Sequence, residues 1–329
     1  MATTAFLELR LGDFFRINTL KLESESGAAT AAGRDRAGAG KMAKKDEWAV
    51  FPFQDEAFNY DGNALEDCWP RLHLGDCEPW PSAAYLERLC NDNKKVAATI
   101  PGFDGDFAAL ATQIQDAWRA YHAGDFRKAR ELGLAAGAPG FNVANKATGI
   151  YAHYLEEDEG RSLKQFREAA DRAAEAIRLM PGSCNAHYQR AFNLGRYSQG
   201  ISIAKALTQG HGGKIKSSLE HTLRIAPSHA EAHTALGMFH AEVISQVGAM
   251  VAGVTYGAKK DTALKHFDEA LRLHPESAIA RMEYGNGLLA MFGDKRVDDA
   301  TALYQQAADC AAVDAMECLD IEQAKAELE

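Results

Sequence analysis

Downstream of residue 107, small and apolar side chains recur on a helical period. Five segments place such a residue, then another four later and another three after that: Ala129–Gly133–Ala136, Ala169–Ala173–Ala176, Ile215–Leu219–Thr222, Ala263–Phe267–Ala270 and Ala300–Tyr304–Ala307. Offsets of four and seven share one helical face, so each segment predicts an amphipathic helix with a narrow contact stripe. Three of these helices end in related words, AIRLMPGS, TLRIAPSH and ALRLHPES, where Pro181, Pro227 and Pro275 stop them. A second helix follows each proline with its own recurring word: AHYQRAFNLG at 186–195, AHTALG at 232–237 and ARMEYGNGLL at 280–289. The pattern predicts about five helical hairpins in series over 108–329, an all-α, right-handed solenoid.

Pro181 to Pro227 spans 46 residues and Pro227 to Pro275 spans 48, against about 34 for a common helix-pair repeat. The surplus lies between the two helices of a pair, so two neighbouring hairpins are expected to be elongated, each arm by about two turns. The second insertion, 243–258, carries no charge and contains Gly248, Gly253 and Gly257. It is too short to span a bilayer. One reading is buried packing between the long hairpins. The other is a wall of an apolar groove for a hydrophobic, lipid-like ligand, lined by Ile201, Ile203, Val243, Val247, Met250 and Val254.

Upstream, residues 42–107 hold Trp48, Trp69 and Trp80, with six basic against thirteen acidic residues. Pro52, Pro70, Pro79, Pro81 and Pro101 interrupt helices there, and Ala83 to Cys90 is the clear helical stretch. This segment reads as an irregular aromatic cap, which an open-ended repeat array requires. Residues 1–41 have charges breaking their apolar stretch and turn rich in Gly, Ala and Ser, so a disordered tail or a spurious upstream extension is expected, with no export signal.

The alternation of helix words and prolines resembles the tetratricopeptide repeat. In that family's register Gly237 and Gly285 fill the small eighth position, and AYHAGDFRKA at 120–129 matches the turn between helices. The elongated hairpins, with NLGRY followed by GHGGKIKSSLEHTLRIAPSHAEAHTALGMFHAEV at 210–243, resemble the regulator of microtubule dynamics family. Their shape is also similar to the T component of tripartite periplasmic transporters. The first of these two likenesses implies a protein-contact or lipid-binding role, the second an apolar channel, and neither supplies a catalytic residue.

Composition narrows the choice of function. With 36 basic against 46 acidic residues the chain carries a formal charge of −10, which argues against nucleic acid or an anionic membrane as the general partner. Six cysteines in 329 residues fit reduced thiols in a cytoplasm better than a disulfide framework. GHGGKIKSS at 210–218 lacks the first glycine of a phosphate loop and the Ser or Thr after its lysine. His229, His233 and His240 share a helical face but lack a zinc-protease arrangement, and repeat register explains them better than metal binding. No cofactor or metal is expected, and no enzyme. The leading expectation is a cytoplasmic, non-enzymatic scaffold that takes a protein or peptide partner on its concave face, through His187, Arg190, Asn193, His233, Arg281, Tyr284 and Asn286. Self-association into a homo-oligomer is compatible with it. The hydrophobic-ligand carrier is the alternative.

Overall fold

The structure, a computed structural model, describes residues 48–53, 58–201, 206 and 209–329. The expected tail at 1–41 and the candidate lining residue Ile203 lie outside these residues. The described chain is all-helical, as the periodicity predicts. Helices α1 (Ala64–Leu72) and α2 (Ala83–Asp92) come from the aromatic segment. The hairpins follow as α3 (Phe107–His122), α4 (Phe126–Ala135), α5 (Phe141–Tyr154), α6 (Glu159–Leu179), α7 (Cys184–Gln199), α8 (His211–Ile225) and α9 (Ala230–Val247). A short α10 (Ala249–Tyr256) precedes α11 (Lys260–Leu273), α12 (Ala278–Phe292), α13 (Val297–Ala308) and α14 (Ala315–Ala326).

Each hairpin's start is written locally. Asp106, Asp125, Asp158, Ser183, His229, Ser277 and Asp314 cap their helices by accepting backbone N–H groups two or three residues on, satisfying donors the helix leaves orphaned. The contact stripes face inward: of their fifteen residues only Ile215 is half-exposed. Sequence register and packing meet at the glycines. A Cβ on Gly237 would lie 2.6 Å from the Phe267 ring, and one on Gly285 2.7 Å from Tyr304. Each aromatic stripe residue therefore sits in the notch of a glycine on the neighbouring helix. Gly287 clamps the other side of Phe267, again at 2.6 Å.

Two expectations change. Proline does not prevent a helix at Ala64–Leu72, which carries Pro70 in its last turns. Burial of Leu65 and Trp69 against the core outweighs the lost backbone bond. The surplus in the second long hairpin goes mostly into the separate helix α10 rather than into two longer arms. Gly248 and Gly257, at φ 78° and 65°, bracket it, and that left-handed backbone suits glycine.

The array does not remain open. The C-terminal helix returns to the first hairpins: His122 Nδ1 lies 2.8 Å from Asp314 Oδ2, Tyr121 Oη lies 3.0 Å from Met316 Sδ, and Tyr154 donates to Asp320. Residues 58–82 enter the same space. Tyr60 Oη donates to the Val313 carbonyl at 2.5 Å, and Arg71 pairs with Glu276 at 3.0 Å and Glu317 at 3.5 Å.

Candidate functional site

The inner face, where α5, α7, α9 and α14 approach one another, is occupied by the chain's own loop between α1 and α2. Cys77 adopts φ 53°, a left-handed turn that is costly for a residue with a Cβ. It aims both neighbouring carboxylates into the array. Asp76 meets Lys146 of α5 at 2.5 Å and His73 at 2.9 Å. Glu78 accepts from Asn142 of α5 at 3.0 Å and from Asn185 of α7 at 2.6 Å. The backbone joins in, because Glu231 N–H of α9 donates to the Gly75 carbonyl at 3.0 Å and Asn185 donates to that of Asp76 at 2.8 Å. Lys146 completes the network on Glu231 at 3.0 Å.

Asp76, His73 and Lys146 sit almost wholly out of water and Glu78 and Glu231 are half-buried, so their ionisation is set by their neighbours. Burial alone would raise the Asp76 carboxyl, but the Lys146 ammonium and His73 overcome it and hold it well below the usual carboxylate range. Burial would likewise lower Lys146, and Asp76 with Glu231 instead pushes it well above its ordinary value. Glu78 lacks a cation of its own. Burial and the neighbouring Asp76 raise it to about 7, against the pull of its two amide donors. His229 is fully buried and lowered to about 3, chiefly by burial. Its Nε2 faces Asn185 Oδ1 at 2.9 Å, while Nδ1 accepts from Ala232 N–H at 3.1 Å, which makes it a neutral Nε2–H tautomer.

The seven residues expected to contact a partner are mostly engaged within the fold. His187, His233 and Arg281 each stand six residues after a repeat proline, and each donates to that proline's carbonyl, Pro181, Pro227 and Pro275 respectively. Repeat register here serves the turn between hairpins. His187 also stacks on His221 at 4.4 Å, and Arg190 is half-buried. Asn193 is corrected to a core residue: it is 0% exposed and bonds the Gln189 carbonyl one turn back. Tyr284 donates to Asp268, and Asn286 accepts from Tyr304.

The expected apolar wall divides as well. Val243 and Val247 pack on the cluster around Ala241, Ile244 and Ala252, Ile201 is half-buried, but Met250 and Val254 are 83% and 86% exposed. The last two are corrected to outward-facing positions. An eight-residue helix that packs on α9 through Ala252 cannot turn its opposite side inward.

An open groove of about 530 Å³ lies instead between α8, α9 and α11. Lys216, Glu220, Leu223 and Arg224 of α8 form one wall, Leu236 and His240 the floor, and Thr262 and His266 of α11 the other wall, with Gly257 at one end. Lys216 pairs with Glu220 across one turn. His233 and His266 bring their Nδ1 atoms to 2.9 Å, and His240 stacks on His266 at 6.0 Å. With His233 Nε2–H on the Pro227 carbonyl, His266 is the Nδ1–H donor of that pair. Burial, with His233 and His240 nearby, lowers His266 to about 4, so the ring is neutral near pH 7. His229 faces the inner network and not this trio, and no group of three or more metal-ligating side chains converges among the described residues.

Sequence reasoning did not single out Asp76, Glu78, Asn142, Lys146, Asn185 or Glu231. One signal was present: Lys146 is the sole Asp, Glu, Lys or Arg in FNVANKATGIYAHY, the whole of α5. In the comparisons with known proteins, residues 143–328 match the family described as regulator of microtubule dynamics protein 1-3. The match runs from the start of α5 through α14 and includes the 210–243 segment. No curated protein matches the chain.

Proposed function

The chain belongs to the regulator of microtubule dynamics protein 1-3 family, and from that premise we propose that it is a non-enzymatic interaction protein of the cytoplasm that influences microtubule assembly by holding a protein partner. The partner sits in the outer groove between α8 and α11, not on the inner face. The observation that carries this reading is the contrast in access. The inner face is closed by Asp76, Glu78 and α14, whereas the groove is open, with the half-buried Leu223 for apolar contact over a floor that includes the buried Leu236, and Lys216, Glu220 and Arg224 for a polar rim. Such a mixed, concave strip suits a helical or extended peptide segment.

Purified full-length chain added to polymerising tubulin, alone and with cell extract, tests the reading. The expected result is a changed rate or extent of assembly that Lys216→Glu with Arg224→Glu reduces at least about tenfold in required concentration, the scale of losing two rim contacts and reversing their charge. Both side chains line the groove, and the variant should keep its fold by circular dichroism. Unchanged assembly with the wild-type chain would remove the microtubule role. An effect retained in full by the variant would remove the groove.

A further inference from the structure

The tip of the second long hairpin inverts the usual rule for a soluble surface. Met250, Val251 and Val254 are 83%, 51% and 86% exposed on α10, in the middle of the uncharged run 243–258. The helix is anchored on its other side by Ala252, which is wholly buried, and its packing partner is α9. Gly248 and Gly257 turn the chain sharply at both ends. The start of α8 reaches the same tip, since a Cβ on Gly212 would lie 3.3 Å from the Tyr256 ring. In sequence the uncharged run is flanked by Glu242 on α9 and by Lys259, Lys260 and Asp261 after α10, and Lys214 follows Gly212 at the start of α8. Lys214 and Lys259 are exposed, while Lys260 is committed to the Met291 carbonyl and the Phe292 ring.

We propose that this tip inserts into the interfacial region of a lipid bilayer, with Met250, Val251 and Val254 entering the acyl boundary and Lys214 and Lys259 meeting anionic headgroups. Size separates this occupant from a protein. Three side chains on a protruding end offer a few hundred Å² at most, well short of the roughly 1,200 Å² that a stable protein interface or dimer buries. A bilayer needs no complementary pocket, and burial of a small apolar face with nearby cations gives the weak, reversible attachment typical of interfacial helices. The charge of −10 over the chain does not oppose this locally, because 243–258 is free of acids, Glu242 lies eight residues before Met250 on α9, and Lys214 and Lys259 are the exposed cations beside the tip. Among the described residues no helix is long and apolar enough to cross a membrane, so the contact is peripheral.

Flotation of the full chain with phosphatidylcholine vesicles, with and without about 30% phosphatidylserine, decides it at low salt, where surface attraction is least screened. The wild-type chain should float with the mixed vesicles. Met250→Asp with Val254→Asp should reduce the floated fraction about fivefold or more, as an interfacial apolar face is lost. Lys214→Glu with Lys259→Glu should lower it on the mixed vesicles while leaving any flotation with pure phosphatidylcholine unchanged. Both residues of the first pair are over four-fifths exposed, so these variants should unfold at the wild-type temperature. A wild-type chain that stays unbound with both vesicles overturns the proposal, as does equal flotation of the Asp variant. It is also overturned if the Asp pair abolishes self-association, seen as a change in mass, without affecting flotation, because the patch would then be a contact between copies.

Discussion

The inner face and the α10 tip each place the wrong chemistry, by the simplest rule, on the wrong side of the surface. Asp76 and Lys146 are charged and buried, with the ionisable Glu78 half-buried beside them, while Met250 and Val254 are apolar and exposed. The buried set is fully woven into its surroundings: every carboxylate named there has an ammonium, amide or imidazole partner, and the loop that carries two of them bonds to the backbone of α9. The exposed set touches little besides its own helix. Burying a charge is costly and persists only with partners in place, so the inner face holds the fold together. Exposing three apolar side chains costs stability little and leaves them available. Polar character inside therefore marks structure in this molecule, and apolar character outside marks contact.

Substitutions can sharpen that contrast, beginning with the most damaging. Lys146→Met leaves Asp76 and Glu231 facing each other without their cation, and urea unfolding should show a loss of about 3–5 kcal/mol, the usual result of removing one partner from a buried pair. A loss below about 1 kcal/mol would mean the network is wetter than its burial indicates. Gly237→Ala drives a Cβ to 2.6 Å from the Phe267 ring, which Gly287 pins from the other side. Overpacking there should cost about 1–3 kcal/mol, measured in the same experiment.

Glu78 gives a smaller, pH-dependent effect. Its folded-state pKa of about 7 lies above the ordinary 4.5, so the folded chain holds this proton more tightly than the unfolded one. The resulting stability is complete below about pH 4.5 and is lost as the pH rises through 7. Between pH 6 and 8 the wild type should lose about 1 kcal/mol from this group, and Glu78→Gln, which keeps an acceptor for Asn142 and Asn185, should remove that contribution, read as the difference between the two profiles. Glu242 and Glu317, both raised to about 7 chiefly by burial, slope the same way, the lowered histidines His229, His266 and His274 slope the opposite way, and all of them remain in the variant. Least of all, Met250→Asp should shift stability by no more than about 0.5 kcal/mol while altering vesicle flotation, which separates an available side chain from a structural one.

The repeats were legible because packing is periodic. The stripes, the prolines at 181, 227 and 275, and the slots at Gly237 and Gly285 each repeat, and a repeated local choice can be counted in the sequence. Residues His187, His233 and Arg281 also repeat, and their common bond to the preceding proline carbonyl gives that repetition a structural reason in the turn between hairpins. The inner network was not legible. Asp76 and Lys146 are 70 positions apart, and Tyr60 and Val313 are 253 apart. No period relates them, and only the return of α14 and residues 58–82 into the array brings them together. The uncharged run at 243–258 was visible as a feature, but whether its side chains turned inward or outward depended on which face of α10 met α9.

Hydrogen exchange of the full chain, read by mass spectrometry on peptides covering 73–80, 141–154 and 230–247, tests most directly that the chain closes its own inner face. The amides that fasten the loop, Cys77 N–H on the His73 carbonyl and Glu231 N–H on that of Gly75, should exchange as slowly as the centres of α5 and α9, through global unfolding and with the same denaturant dependence. Rapid exchange across 73–80 while α5 and α9 stay protected would mean that the loop opens on its own, and that the inner face is available to a partner after all.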